Sequence, residues 1–261
     1  MFINLNYFQS LKKLIVNCKL FIKKKVQFLI FNIYWSNTIE QIKIVGPDSL
    51  SIIIITAFFV GMVFTLQIVK EFLYINAIGL VGSILTISFI RELSPVLTSV
   101  IIVGRIASYF TAELATMSVT EQLDALYLLE TSPISYLVVP RVFSSVLMLP
   151  FLNIFSFMTS LFSSSFVCFT IYNIHPEIFF TSSFSSLYVT DIIKSLFKTL
   201  IFGFLISIIS CIWGINTHGG AKGVGQSTTS SVVSSLLAIF ISDFILSYIM
   251  FSKVESAIKT L

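Results

Sequence analysis

Residues 89–133 read FIRELSPVLTSVIIVGRIASYFTAELATMSVTEQLDALYLLETSP, and this stretch decides the fold. An apolar helical pattern runs through most of it, yet four charged residues lie along that pattern: Arg91, Glu92, Arg105 and Glu113. A charged side chain at the centre of a membrane span costs at least about 2.5 kcal/mol, so such residues usually face a cavity, a partner or a transport pathway. We therefore expect this stretch to carry the function of the chain.

The composition is that of an integral membrane protein. Of the 261 residues, 56% are hydrophobic and 11% are charged, and the mean hydropathy is +0.98. A membrane-spanning helix needs about 20 apolar residues, and roughly five such stretches follow residue 47. These stretches leave no length for a folded catalytic domain in water, which argues against an enzyme.

The amino-terminal segment, residues 1–46, is basic. Seven lysines and one acid, Glu40, alternate there with apolar residues, which is typical of an amphipathic helix on an anionic membrane surface. A cleaved targeting peptide or a basic tail are the alternatives, but the segment lacks the apolar core and small-residue cleavage site of a signal peptide. We divide the chain into this segment, 1–46, and a membrane domain, 47–261.

The apolar stretches predict five spans, at 50–69, 84–117, 137–172, 191–213 and 232–251. By the positive-inside rule the lysine-rich amino end stays on the cytosolic or stromal side. The second span could instead begin with a re-entrant piece at 75–90, but one long helix is favoured. Pro95 removes the amide that would bond to the carbonyl of Arg91, so a kink is expected beside the charged pair.

The connections between the spans hold one further element. We expect an outside loop at 173–190 and a flexible cytosolic turn at 214–230. After the second span, Ser118 and Glu121 fit the S-x-x-E capping box and predict a short acidic helix on the cytosolic side. Charge alone leaves two interpretations open, a helix that only closes a loop and a docking surface for a basic partner.

Two ionisable residues lie inside the later spans. Asp243 is in the fifth span and should be either protonated or matched with a cation such as Arg105. Lys198, in the fourth span, could bind a lipid phosphate or extend to the headgroup region, and we predict the second arrangement.

Cofactor and metal chemistry has weak support in the sequence. Residues 220–227, GAKGVGQS, approach the phosphate-binding pattern G-x-x-x-x-G-K-[ST], but Gln226 stands where the lysine is needed. His175 and His218 lie in different loops without a second ligand at metal spacing. Three cysteines, far apart, are expected to be packing thiols: Cys18, Cys168 and Cys211. We predict no cofactor, no metal site and no nucleotide site.

Three blocks of this sequence resemble the MlaE-type permease family, the membrane subunits of ABC systems that move phospholipids between membranes, in bacteria and plastids. They are RELSPVLTSVIIVGRIASYFTAELATMSVTEQLDAL at 91–126, SPISYLVVPRVFSSVLMLP at 132–150, and AKGVGQSTTSSVVSS with SDF at 221–235 and 242–244. The resemblance covers about residues 46–251. It implies an all-α integral membrane protein with an amino-terminal interfacial helix, five transmembrane helices and a short cytosolic coupling helix.

The resemblance also implies partners. They are a second copy of the chain in a homodimer, a separate ABC ATPase subunit, an MCE-type lipid-binding subunit on the far side, and membrane phospholipid as the substrate, with no nucleic acid. The many phenylalanine, isoleucine, lysine and asparagine residues are typical of an AT-rich genome. A plastid membrane is therefore expected, with a bacterial inner membrane as the alternative.

Two sets of site residues follow from the resemblance. The coupling helix of the family falls on 120–129, which favours docking to the ATPase through Glu121, Gln122, Leu123, Asp124, Ala125 and Leu126. The charged positions of the second span fall beside the lipid path, and the predicted intramembrane charges are Arg91, Glu92, Arg105, Asp243 and Lys198.

A function of another class is an ion- or proton-coupled secondary transporter in which Glu92 and Asp243 titrate. Such carriers usually contain inverted repeats, and five spans cannot be divided into equal halves within one chain. A membrane scaffold without transport activity would have no evident use for charges inside a span. The sequence therefore favours a lipid permease driven by a partner.

Overall fold

The computed structural model describes residues 35–129 and 131–251, and this part of the chain is built from helices and short connections without a strand. Its α-helices are α1 (Trp35–Val45), α2 (Pro47–Tyr74), α3 (Val81–Ser88), α4 (Ser94–Ile102), α5 (Ser108–Val119), α6 (Gln122–Leu128), α7 (Val139–Tyr172), α8 (Pro176–Ser186), α9 (Val189–Ile215) and α10 (Gly220–Phe251). The predicted all-α architecture is confirmed.

Within the described residues, five helical stretches are long and apolar enough to cross a membrane. They are Trp35–Tyr74, Ile78–Val119, Ile134–Tyr172, Val189–Ile215 and Gly220–Met250, called here the first to fifth spans. The second span has 42 residues and, at about 1.5 Å per residue, extends about 63 Å. The single long helix is therefore confirmed and the re-entrant piece is wrong, because residues 78–119 form one continuous helical stretch.

Two π-helical turns interrupt the second span, at Phe89–Leu93 and at Val103–Ala107. The first turn contains Arg91 and Glu92 and ends two residues before Pro95, and the second contains Arg105. A π-turn inserts an extra residue into the helix and is frequent at functional sites. The irregularity that was expected beside the charged pair is therefore present as a π-turn.

The predicted outside loop at 173–190 is wrong, because most of it forms α8. This helix packs against the beginning of the second span, where Ser83 Oγ donates to the carbonyl oxygen of Ser182 at 2.9 Å. The two helices approach so closely at Gly82 that a Cβ atom there would lie 2.4 Å from the carbonyl oxygen of Phe179. Small residues such as glycine and serine let helices pack this closely.

The predicted flexible turn at 214–230 is also wrong. The fourth span continues to Ile215 and α10 already begins at Gly220, so four residues connect them. Gly219 and Gly220 have φ angles of 94° and 69°, which glycine adopts without strain, and this permits the short connection. Glycine and serine in the following turns belong to the helix, because small residues are common where membrane helices contact each other.

The predicted capping box at Ser118 and Glu121 is also wrong. Ser118 Oγ donates to the carbonyl oxygens of Ile215 and Thr217, both at 3.2 Å, and so joins the second span to the end of the fourth. Glu121 has a positive φ of 59° and immediately precedes α6, without a side-chain capping hydrogen bond. The predicted short helix is present, but it begins at Gln122, directly after Glu121, whose backbone is left-handed.

Helix α7 provides the central packing surface. Its inward serines include Ser160, Ser163 and Ser164, all buried. Ser163 Oγ donates to the carbonyl oxygen of Phe58 at 2.6 Å, and Gly61 of α2 lies directly against Ser160. The small residues at this contact let α2 and α7 approach closely. The thiols of Cys168 and Cys211 are buried in the same interior, as predicted.

The two ends of the described chain differ in how well they are packed. Helix α1 lies against α7, with Val45 fully buried and Gly46 beside Met148. Six of the seven lysines of the basic segment, together with Cys18, fall in residues 1–34, outside the described residues. At the other end, only 11% of the most apolar part of the fifth span is buried, so most of that helix faces lipid or another protein.

Candidate functional site

Lys198 of the fourth span is the centre of a charged cluster that joins three spans. Its Nζ atom donates to Glu92 Oε2 at 3.1 Å, to Asp243 Oδ1 at 3.1 Å and to Ser247 Oγ at 2.7 Å. Ser247 Oγ in turn donates to Glu92 Oε1 at 3.0 Å. We call these four residues, Glu92, Lys198, Asp243 and Ser247, the outer cluster. The second, fourth and fifth spans each contribute to it.

A backbone carbonyl of the second span completes the surroundings of Lys198. The carbonyl oxygen of Arg91 lies 2.9 Å from Lys198 Nζ, so four acceptors share the three N–H groups of the ammonium. Four residues later the chain has Pro95, which carries no amide hydrogen and so cannot form the ordinary helical bond to that carbonyl. The proline therefore leaves room at that carbonyl oxygen, and the lysine ammonium approaches it.

Arg91 pairs with Asp191 next to the outer cluster. Its Nε and Nη2 atoms donate to Asp191 Oδ2 at 3.1 and 2.8 Å, so the guanidinium of the second span is tied to the first turn of α9. Asp191 is buried. The sequence identified this residue only as the start of the fourth span. The sequence did contain a sign of this pairing. A carboxylate in the first turn of an apolar helix needs a cation as its partner if it enters the membrane.

Two pairing predictions are corrected here. Lys198 does not extend to the headgroups, because its side chain is 0% exposed and its ammonium is held by the partners above. Asp243 is matched with a cation, as expected, but the cation is Lys198. Arg105 lies 13 residues beyond Glu92, about 20 Å along the helix, and its Nη1 donates to Ser49 Oγ at 2.8 Å.

The outer cluster opens to the surface of the chain at Glu92, whose side chain is 45% exposed. With Arg91 and Asp191 included, the site contains three carboxylates and two cations. A carboxylate on the outside of a membrane span is stable only where water, a polar ligand group or another protein covers it. We therefore expect one of these to cover the Glu92 face of this chain.

A second charged site lies towards the other end of the second span. Arg141 Nη2 is 2.7 Å from Glu113 Oε2, and the guanidinium carbon lies 5.5 Å from the centre of the Phe110 ring. Only 2% of the Arg141 side chain is exposed. We call Glu113 and Arg141 the inner pair. Glu113 was noted from the sequence alone, but its partner was not identified. Arg141, near the start of the next span, could have been proposed as that partner.

Helix α6 occupies the position predicted for the coupling helix. Among its residues Leu123 is buried and holds the helix against the rest of the chain. The predicted docking residues Glu121, Gln122, Asp124 and Ala125 are exposed and Leu126 is partly buried. The following apolar residues project outward, and Leu128 is 86% exposed. The helix therefore presents both acidic and apolar groups.

A cavity of about 430 Å³ lies beside α6. Its walls include Glu121 and Asp124 on one side and Thr217 and His218, from the connection between the fourth and fifth spans, on the other. The near match to a phosphate-binding loop, residues 220–227, begins at this point but is the first two turns of α10. Its backbone is helical, whereas a phosphate-binding loop needs free amide groups.

A sequence model of the family described as Permease MlaE matches residues 38–249 of this chain. A probable ABC transporter permease of Pyropia yezoensis is 52% identical over 92% of this chain and 91% of its own length. Another, from Synechocystis, is 54% identical over 82% of each chain. The chloroplastic protein TRIGALACTOSYLDIACYLGLYCEROL 1 of Arabidopsis thaliana is 46% identical over 87% of this chain and 65% of its own length.

These matches confirm the resemblance seen in the three sequence blocks, and the organisms confirm that the relatives occur both in a chloroplast and in bacteria. The family match covers all five spans, the outer cluster, the inner pair and α6. Together with the five apolar spans, it identifies a multi-pass membrane protein that serves as a transport subunit. The chain belongs to the MlaE family of ABC transporter permeases.

Proposed function

We propose that this permease moves a phospholipid, or a related membrane lipid, between membranes and that ATP hydrolysis by a separate ATPase subunit drives the movement. The observation that carries the proposal is the outer cluster, in which a half-exposed carboxylate, Glu92, lies on a membrane-spanning surface. A lipid has a polar headgroup and apolar chains, so its transfer needs polar groups inside an apolar surface. The name of the Arabidopsis relative, which contains that of a diacylglycerol lipid, supports the same substrate class.

A second copy of the chain is the proposed cover for the Glu92 face. The fifth span carries Asp243 and Ser247 of the outer cluster, and much of this helix is exposed. In a homodimer, two such faces would enclose a path with charged groups on both sides. A headgroup in that path could contact Glu92 or Arg91, whose side chains are partly exposed, while its chains contact the apolar residues of the spans.

Helix α6 is the proposed contact with the ATPase subunit. It lies outside the spans, it exposes Glu121 and Asp124, and it exposes the apolar side chain of Leu128. A helix with acidic and apolar groups together fits a groove that is apolar at its centre and basic at its rim. The chain itself is proposed to hold no ATPase site. The MCE-type lipid-binding partner on the far side is supported by the family resemblance alone.

The docking proposal is tested by reversing the acidic charges of α6. The double variant Glu121→Lys and Asp124→Lys should lose co-purification with the ATPase subunit, because like charges would meet at the contact. Glu40→Lys, an exposed reversal on α1, is the matched control and should retain the ATPase subunit. If the double variant still binds the ATPase subunit as the parent does, α6 is not the docking element.

The transport proposal is tested with purified complex in vesicles that contain fluorescent phospholipid. Lipid transfer should require ATP and should continue after the proton gradient is collapsed. The competing carrier hypothesis, in which Glu92 and Asp243 exchange protons, predicts the reverse. Transfer that ignores ATP and stops without a gradient would overturn the ATP-driven mechanism.

A further inference from the structure

A separate apolar cavity of about 420 Å³ lies between α7, α8 and the beginning of α9. Most of its lining is aliphatic or aromatic, and Ile90 of the second span forms part of one wall. The volume falls within the range of about 300–1,000 Å³ that is usual for ligand pockets. Because so few polar groups line it, water would find few hydrogen-bond partners inside.

The mouth of this cavity opens on a membrane-facing surface. Its lining includes residues of α7 and α8 that are strongly exposed, with Phe162 at 64% and Phe184 at 72%. Met158 and Ile154 lie on the same side of α7 and are also exposed. Ile154, Met158 and Phe162 belong to the third span, where exposed apolar groups usually face lipid chains, so we expect hydrocarbon outside the mouth.

The walls of the cavity are held in place. Asn153 Nδ2 of α7 donates to Ser195 Oγ of α9 at 2.8 Å, and both residues line the cavity. Between α7 and α8, the rings of Phe162 and Phe180 pack edge to face with their centres 6.3 Å apart. Polar and aromatic contacts at fixed positions keep the three helices apart, so the space cannot close simply by moving one side chain.

The cavity and the outer cluster lie on different sides of the second span. Ile90 lines the cavity, whereas Glu92 binds Lys198 and opens to the surface. Residues two apart on a helix project to roughly opposite sides, and both residues lie in the first π-turn. The cavity is therefore not the continuation of the Glu92 face.

We propose that this cavity binds the hydrocarbon chain of a bilayer lipid, and that this lipid stays beside the transport path and is not the cargo. Apolar walls of this extent are best packed by apolar groups, and a bilayer next to the mouth supplies hydrocarbon chains that fit them. The chain would fill the space between α7, α8 and α9, next to the pair of Arg91 and Asp191. It would thus support the helix that carries Lys198.

A photoreactive lipid tests this proposal. The purified permease complex is placed in bilayer discs of phosphatidylcholine that include phosphatidylcholine with a diazirine in one acyl chain, irradiated, and mapped by peptide mass spectrometry. Labelling should concentrate at Met158, Phe162 and Phe184, about tenfold above the equally lipid-facing Phe169 of α7. Even labelling of all the lipid-facing residues would overturn the proposal.

Two substitutions separate the cavity from the surface. Met158→Trp places a larger ring at the mouth and should reduce the labelling of Phe184 about tenfold, with Ile154→Trp as a second variant of the same kind. Phe155→Trp, on the same helix but outside the cavity, should leave the labelling unchanged. Unchanged thermal unfolding of the variants shows that they are folded.

ATP-driven lipid transfer decides between a resident lipid and cargo. Met158→Trp should keep transfer near the parent rate, because the tryptophan ring takes the place of the chain. Loss of both labelling and transfer in a folded Met158→Trp variant would show that the cavity belongs to the path and would overturn the resident lipid. Labelling at the cavity in a parent complex that shows no ATP-driven transfer would leave this inference standing and remove the proposed transport function.

Discussion

The two charged sites of the second span differ in balance and in exposure. In the outer cluster, Glu92 and Asp243 share the single ammonium of Lys198, and Glu92 is open to the surface. In the inner pair, Glu113 has one guanidinium partner, Arg141, which is buried. An open cluster with an excess of carboxylate can accept a polar ligand, whereas a one-to-one pair with a buried cation mainly holds two helices together.

The difference indicates that the two ends of the second span have separate roles, ligand contact at the outer cluster and helix attachment at the inner pair. Glu92 and Glu113 are 21 residues apart, about 32 Å along the second span. Glu113 precedes α6 and Arg141 follows it, so the inner pair joins the two helices on either side of the proposed docking element. We expect a displacement of α6 to move both helices as one unit and to reach the outer cluster through the second span.

The largest effect is expected from removing the cation of the outer cluster. In Lys198→Met, the carboxylates of Glu92 and Asp243 remain near each other without a counter-ion. Removing one partner of a buried ion pair lowers the free energy of unfolding by about 3–5 kcal/mol. The variant should therefore unfold at a much lower temperature in detergent and should lose lipid transfer.

A second substitution and a control make this test specific to the cluster. Adding Asp243→Asn to Lys198→Met removes one of the two carboxylates and should recover part of the lost stability. Lys194→Met, on the same helix but partly exposed, should have a much smaller effect. Equal losses in Lys198→Met and Lys194→Met would contradict the central role of Lys198.

The spans could be predicted from the sequence, but the pairings in the outer cluster could not. Hydropathy marks a span because 20 or so apolar residues are needed to cross the bilayer, whatever lies beside them. Lys198 and Glu92 are 106 residues apart, and their contact depends on the depth and rotation of two helices that are separated by a whole span in the sequence. The prediction that Lys198 extends to the headgroups was wrong for a related reason. The rule behind it describes a lysine on a single helix surrounded by lipid, whereas here the carbonyl oxygen of Arg91 and two carboxylates surround the ammonium.

The assignment from sequence also failed where segments rich in small residues form helices. Residues 176–186 and 220–230 are rich in serine, threonine or glycine and were interpreted as loops, yet they form α8 and the first turns of α10. Such residues are poor helix formers in water but let helices approach closely in a membrane. Gly82, in contact with α8, shows how close that approach is, and no local pattern reveals which helix will be the neighbour.

An intermediate effect is expected at the inner pair. Glu113→Gln leaves the buried guanidinium of Arg141 without its counter-ion, and because Glu113 is partly exposed the loss should be about 2 kcal/mol. If this pair links α6 to the second span, the ATPase subunit should still bind, but less lipid should move for each ATP hydrolysed. Glu71→Gln, exposed at the end of α2, is the matched control. Normal coupling in folded Glu113→Gln would limit the inner pair to a purely structural role.

The smallest effect is expected from Ser247→Ala, which tests whether the outer cluster acts as a network. The hydroxyl of Ser247 accepts from Lys198 and donates to Glu92, so its loss should cost about 1 kcal/mol and weaken lipid transfer without removing any charge. Ser242→Ala on the same helix removes a hydroxyl that bonds only to its own helix at Ile239 and should change neither property. If both variants behave alike, the ion pairs alone hold the outer cluster together. The outer cluster would then differ from the inner pair only in its number of charged groups.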